Sequence, residues 1–305
     1  MQAPVGPATT TRLVEAVCGV GALGTLAASW TEHAVLRQQL RELRASVGPS
    51  FCVNLVLAFD QRERLDVVLD EGVRFVSFSW GIDSALIRRA HDAGAVVLVQ
   101  VSDVAGARRA ADAGADVIIA QGVEAGGHVQ GTTPLFELLG ALRPTLGLPI
   151  VAAGGIADSA SARAAIAAGA DGVACGTAFL AAREADVHPD YLELLFRSVA
   201  SDTVLTTVFD IGWPNAPHRV IQNDSFLTWD SAGRPARGIR PGEDDVIAMR
   251  AGIPLVRYSD AQPTTDTAGE IRSMALYAGM SVGMVQRRAS AEDITREIAR
   301  GLPLL

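Results

Sequence analysis

A chain of 305 residues with 34 acidic and 26 basic side chains carries a formal net charge of −8. With no long basic run to meet a phosphate backbone, it excludes nucleic acid as a partner. Every one of the 26 basic residues is arginine, so Schiff-base and lysine general-base chemistry are absent, and the 49% hydrophobic, 5% aromatic balance suits helices packed on a parallel sheet better than an aromatic-rich sandwich.

In chain order, short β-rich runs at residues 2–5, 22–27, 51–57, 73–80, 95–101, 116–121, 149–153 and 172–176 alternate with helical patterns. The expectation is an α/β fold, eight parallel strands closing as a (β/α)8 TIM barrel. The first run is interrupted by Pro4, so either the start of the chain is placed late or the barrel closes on a very short strand. Four helix-to-strand junctions repeat: Glu71-Gly72-Val73, Ala93-Gly94-Ala95, Ala113-Gly114-Ala115-Asp116 and Ala168-Gly169-Ala170-Asp171. Each sets a glycine where a helix ends in the left-handed conformation. The first three glycines are 22 and 20 residues apart, about one minimal βα unit. Residues 133–145 read as an amphipathic helix, with Leu135, Leu138, Leu139 and Leu142 on one stripe and Pro134 in its first turn.

After Ser201 the rhythm stops. Residues 208–266 are rich in Pro, Gly, Trp and Asp with little periodicity and read as an inserted cap. Helical patterns return at 267–278 and 291–299, so 1–207 and 267–305 are expected to form the barrel with its C-terminal helices. Cys18, Cys52 and Cys175 are scattered and never in CxxC spacing, which reads as reduced packing thiols with no disulfide or metal framework. No apolar run approaches the roughly 20 residues of a membrane span and no leader pattern opens the chain. The expectation is a cytoplasmic protein with no membrane partner; whether copies associate is left open.

The sixth run leads into Gln121-Gly122-Val123-Glu124-Ala125-Gly126-Gly127-His128-Val129-Gln130-Gly131, a glycine-dense loop at the C-terminal mouth, where barrels of this kind keep their chemistry. Glycines let a backbone approach a ligand closely, and a loop histidine there is expected to titrate near neutral pH and move a proton. The seventh run ends in Gly154-Gly155 with Asp158 as a helix cap, and the eighth in Ala174-Cys175-Gly176-Thr177. Small residues after strands seven and eight, with helix N-termini behind them, read as a phosphate cradle that needs no lysine.

These segments, together with Gln2-Ala3-Pro4, Val53-Asn54-Leu55, residues 209–223 and Tyr277-Ala278-Gly279, closely resemble the nitronate monooxygenases. The resemblance implies FMN as cofactor and oxidation of alkyl nitronates or nitroalkanes by O2 to carbonyl compounds and nitrite. It further implies that Asn54, Gln121 and Gly126 lie along the flavin and Ala3, Pro4 and Val5 at its ring edge. Gly154, Gly155, Ala174, Cys175, Gly176 and Thr177 would hold the phosphate, and His128 would be the base. His33, His91 and His188 match no base of that family and read as surface or packing residues; His218, inside the expected cap, stands apart from them. The chain also departs from the family pattern. Val129 stands where arginine is common, Val5 replaces a frequent methionine and Met280 a frequent glutamine, so the substrate is less constrained than the cofactor.

Two alternatives share much of this pattern. FMN-dependent NAD(P)H reductases of the enoyl-acyl-carrier-protein or quinone type carry similar loops, but the former commonly have glutamate where Gln121 stands. A flavin-free phosphate-binding barrel is the third reading, distinguished by a colourless protein.

Overall fold

The computed structural model describes residues 1–303. Its first eight strands are β1 (Thr25–Ala27), β2 (Cys52–Val56), β3 (Phe75–Ser79), β4 (Val96–Val101), β5 (Val117–Gln121), β6 (Gly127–His128), β7 (Ile150–Ala153) and β8 (Gly172–Ala174). All but β6 join one parallel sheet in the order β1-β2-β3-β4-β5-β7-β8. The eighth place is filled by the chain's first residues. The Gln2 amide donates to Leu23 O on one side, while the Ala3 amide donates to Cys175 O and the Cys175 amide to Met1 O on the other. The Gln2 side chain adds a bond from the Thr25 amide, 2.8 Å. Closure therefore rests partly on a side chain standing in for backbone, which is why the run looked too short.

The repeated junctions behave as their sequence requires. Gly72, Gly94, Gly114 and Gly169 all have positive φ, between 68° and 103°, a conformation that costs L side chains energy. The aspartate after two of them ties neighbouring strands together: Asp116 accepts from the Val97 amide and Asp171 from the Ile150 amide. Alternation along each strand then sorts the side chains. Val53 and Leu55 of β2, like Ile118 and Ala120 of β5, join the core under the helices, whereas Cys52 and Ile119 line the barrel interior. The same period turns Asn54 and Gln121 inward at the mouth. Each fully buried leucine or valine of the outer layer contributes roughly 1.5–3 kcal/mol.

The remaining strands are β9 (Thr203–Thr206), β10 (His218–Ile221), β11 (Val246–Arg250), β12 (Ile253–Val256) and β13 (Thr267–Gly269). They form two small antiparallel sheets, β6-β10-β9 and β12-β11-β13. Residues 208–266 thus hold more regular structure than their composition suggests, including a helix Asp224–Ser231 capped by Asn223. The helical reading of 267–278 does not hold: Thr267 pairs with Arg250 as part of β13, followed by a short 3-10 turn, Ile271–Ser273. Long-range pairing overrides the local pattern there. The helix expected at 133–145 contracts to Leu135–Leu142 with Pro134 as its cap residue. Among the described residues, no helix is long and apolar enough to cross a membrane.

Candidate active site

The glycine-dense segment after β5 is held at both ends. Gln121 donates from Nε2 to His128 O at 3.1 Å and accepts from the Gln130 amide at 3.0 Å, while Gln100 donates to the Gln130 side chain at 2.7 Å. His128 pairs directly across from His218 in the small sheet. It therefore stands on a braced two-residue strand, not on a free loop. Further along, the Arg219 guanidinium donates twice to Val123 O, at 3.1 and 2.9 Å. Nothing local marked Arg219 beforehand; its partner lies 96 positions away.

Four aromatic neighbours surround the His128 ring. Trp213 stacks on it with centroids 4.2 Å apart and planes 25° from parallel, and His218, Tyr277 and Trp80 follow at 5.4, 5.5 and 6.1 Å. Its Nε2 is buried without a hydrogen-bond partner among the described residues. Burial, aided by His218, pushes its pKa down from 6.5 to about 3. The expectation of titration near neutrality is thus corrected: the ring stays neutral throughout the physiological range because an imidazolium there would lose its hydration. His218 is fixed as the Nδ1–H tautomer, since Nδ1 lies 2.9 Å from Ala216 O and Nε2 accepts from the Phe209 amide. Burial lowers its pKa to about 4. The other histidines do surface work: His91 pairs with Asp116, His188 caps a helix and His33 lies 3.9 Å from Glu63.

The small residues after β7 and β8 converge on the same segment. Gly154 and Gly155 have φ of 110° and 72°. A Cβ on Gly154 would lie 3.1 Å from the Ala125 amide nitrogen, and one on Gly155 would lie 3.3 Å from Glu124 Cβ. Gly176 faces Val5 and Ala3, whose side-chain carbons would be 3.7 and 3.9 Å from an added Cβ, and Pro4 links those two residues. Thr177 Oγ1 accepts from the Gly279 amide at 2.9 Å. Gly279 in turn packs so closely on Gly126 that a Cβ would come within 2.8 Å of its amide nitrogen. Gly279, named in the sequence only as part of the Tyr277-Ala278-Gly279 segment and given no role there, is a member of this cluster. The helix behind Thr177 is a single turn, Thr177–Leu180, and Asp158 already occupies the Ser161 amide of the helix after β7, Ser159–Ala167. Backbone donors, not helix dipoles, are what this corner offers an anion. Ala174 and Cys175 are buried, and burial pushes the Cys175 thiol up to about 12, leaving it inert. Asn54 donates to Ser77 Oγ at 3.0 Å, between neighbouring strands β2 and β3.

Fold and mouth together define a class: an α/β barrel whose C-terminal end holds a buried neutral histidine between aromatic rings and glycine-lined loops. The nitronate monooxygenase family model matches residues 56–301, and the chain belongs to that family. Across 99% of its length it superposes on 94% of a nitroalkane oxidase from Streptomyces ansochromogenes, with a TM-score of 0.79 and 32% identity. It superposes equally well on FabK from Thermotoga maritima, with a TM-score of 0.79 and 28% identity, covering 98% of this chain and 91% of that one. A (3aS,4S,5R,7aS)-5-hydroxy-7a-methyl-1-oxo-octahydro-1H-indene-4-carboxyl-CoA dehydrogenase of Mycobacterium tuberculosis is 36% identical over 243 residues, 78% of this chain and 66% of the relative. The chain therefore spans just under two thirds of that relative's length.

Proposed function

We propose that this chain is an FMN-dependent oxidoreductase that oxidises alkyl nitronates with O2 to carbonyl compounds and nitrite. The observation that carries this reading is the His128 imidazole, with its Nε2 buried and unpartnered amid aromatic rings at the barrel mouth. A buried polar atom without a partner costs about 1–3 kcal/mol, a cost that a bound ligand would remove.

The residues fit FMN. Gly154 and Gly155 let their loop pack against Ala125 and Glu124, and Gly176 faces Ala3 and Val5; backbone N–H groups of this corner and the Thr177 hydroxyl would hold the phosphate. Asn54, Gln121 and Gly126 would line the isoalloxazine, and Ala3, Pro4 and Val5 its edge, with Ala174 and Cys175 forming the floor. When bound, the flavin supplies the redox chemistry that couples nitronate oxidation to O2. Residues 208–266 act as a cap, bringing Trp213 and His218 over His128 and excluding water.

His128 would meet the nitro end of the substrate. As a neutral ring it is in the form a general base needs, yet burial makes it a weak base. A proton taken from a neutral nitroalkane is stable on Nε2 only while the nitronate charge sits beside it. Preformed nitronates need no such transfer and are the better substrates. The likeness to FabK and to the CoA-linked dehydrogenase supports a second reading, an FMN-dependent NAD(P)H reductase. Anaerobic mixing of the yellow protein with ethyl nitronate or with NADH separates the two. Flavin reduction by nitronate alone is the expected result, and rapid bleaching by NADH alone would replace this reading with the second.

A further inference from the structure

Aromatic residues make up only 5% of the chain, yet four of them gather at one side of the mouth. Trp213 lies 4.8 Å from Trp80 and 5.2 Å from Phe59, and Phe59 lies 5.7 Å from Trp30. Three come from the loops after β1, β2 and β3, and Trp213 comes from the 208–266 segment. The cluster starts at His128 and is graded, from Trp213 at 7% exposed to Trp30 at 58%. Docking of one chain segment on another explains Trp213, but it leaves an indole open to water at the far end. Trp80 also holds a φ of 60°, a left-handed backbone costing roughly 1–2 kcal/mol for a side-chain-bearing residue. Strain of this kind collects where a side chain must be aimed. The charges on these loops are committed elsewhere: Arg62 pairs with Asp60, Arg64 donates to Thr31 O, and Glu32 caps a helix.

We propose that the substrate taken at the His128 site carries a flat aryl ring, which stacks among Trp30, Phe59, Trp80 and Trp213 while its nitronate end reaches His128. This deepens the nitronate reading and rests on it for the reacting group. Aromatic rings in offset or edge contact favour a planar π-face over an alkyl chain, and the committed charges give an anionic tail no partner on these loops.

The test compares the holoenzyme on 2-phenylethyl, 2-cyclohexylethyl and ethyl nitronates, reading nitrite release, with Trp30→Ala and Phe59→Ala alongside the parent. The aryl substrate should exceed both others in kcat/KM by about tenfold, mainly through KM, and each variant should lower that ratio severalfold. An equal or inverted ratio in the parent, or a ratio unchanged in both variants, overturns the proposal while the nitronate reading stands. If no nitronate is consumed, the nitronate reading fails, and calorimetric titration with 2-phenylethanol against ethanol decides the ring question by itself. Binding of the aryl alcohol that weakens about tenfold in a Trp30→Ala/Phe59→Ala variant supports the ring site; no binding to the parent overturns it.

Discussion

Replacing His128 by asparagine separates proton transfer from every other contribution of the residue. Its backbone carbonyl, which accepts from Gln121, and its pairing with β10 are untouched by the change. The ring loses its stack on Trp213, worth about 0.5–1.5 kcal/mol, and the asparagine amide, set where Nε2 already lacks a partner, keeps a similar desolvation cost in place. A net loss of about 1 kcal/mol leaves the fold intact, so flavin content should stay close to the parent. Activity should split by substrate. General-base catalysis contributes about 100-fold to 10,000-fold, so O2 uptake with neutral nitroethane should fall by at least about 100-fold, whereas ethyl nitronate should keep most of its rate. The assay is an oxygen electrode with each substrate at matched pH, after flavin quantification by absorbance. Unimpaired nitroethane turnover, or an equal loss with both substrates, would refute the role given to His128.

Acid should destabilise the protein through the two buried imidazoles. Both folded-state pKa values are depressed below 6.5, to about 3 and about 4, so the unfolded chain binds protons first. Their stabilisation is complete above about pH 7 and is lost as pH falls from there toward 4, on the order of 1 kcal/mol per pH unit for each ring; urea midpoints from pH 7 to 5 check this, and His128→Asn should remove about half of the slope. Gly155→Val puts a β-branched residue at φ 72° with its Cβ 3.3 Å from Glu124 Cβ; it should purify with little FMN, and full occupancy would count against the cradle. Arg219→Met removes both donors to Val123 O and should lower stability by about 1–3 kcal/mol and slow turnover of every substrate together, as a positioning residue does; a selective loss of one substrate would argue for direct contact instead.

What was legible in the sequence was whatever repeats or alternates. The glycines at 72, 94, 114 and 169 each end a helix and recur, so they announced the βα unit, whereas Asn54 and Gln121 stood out only through the family resemblance. Residues whose role is created by a distant partner were illegible. Residues 267–278 carry helix-like spacing, but β11 claims Thr267–Gly269 as a strand, and a pattern read locally has no access to that partner. The same holds for the site. The glycine-dense segment pointed to His128, but its electrostatics depend on Trp213, His218 and Tyr277, delivered from the far end of the chain. Read by itself, a loop histidine titrates near neutrality; enclosed by those rings, it stays neutral well into acid. On the proposed function, that difference bears on which substrate form the site takes. A histidine titrating near 7 would be a competent base toward a neutral nitroalkane in water, whereas one held neutral by burial favours a substrate that arrives already deprotonated and brings its own negative charge to the ring.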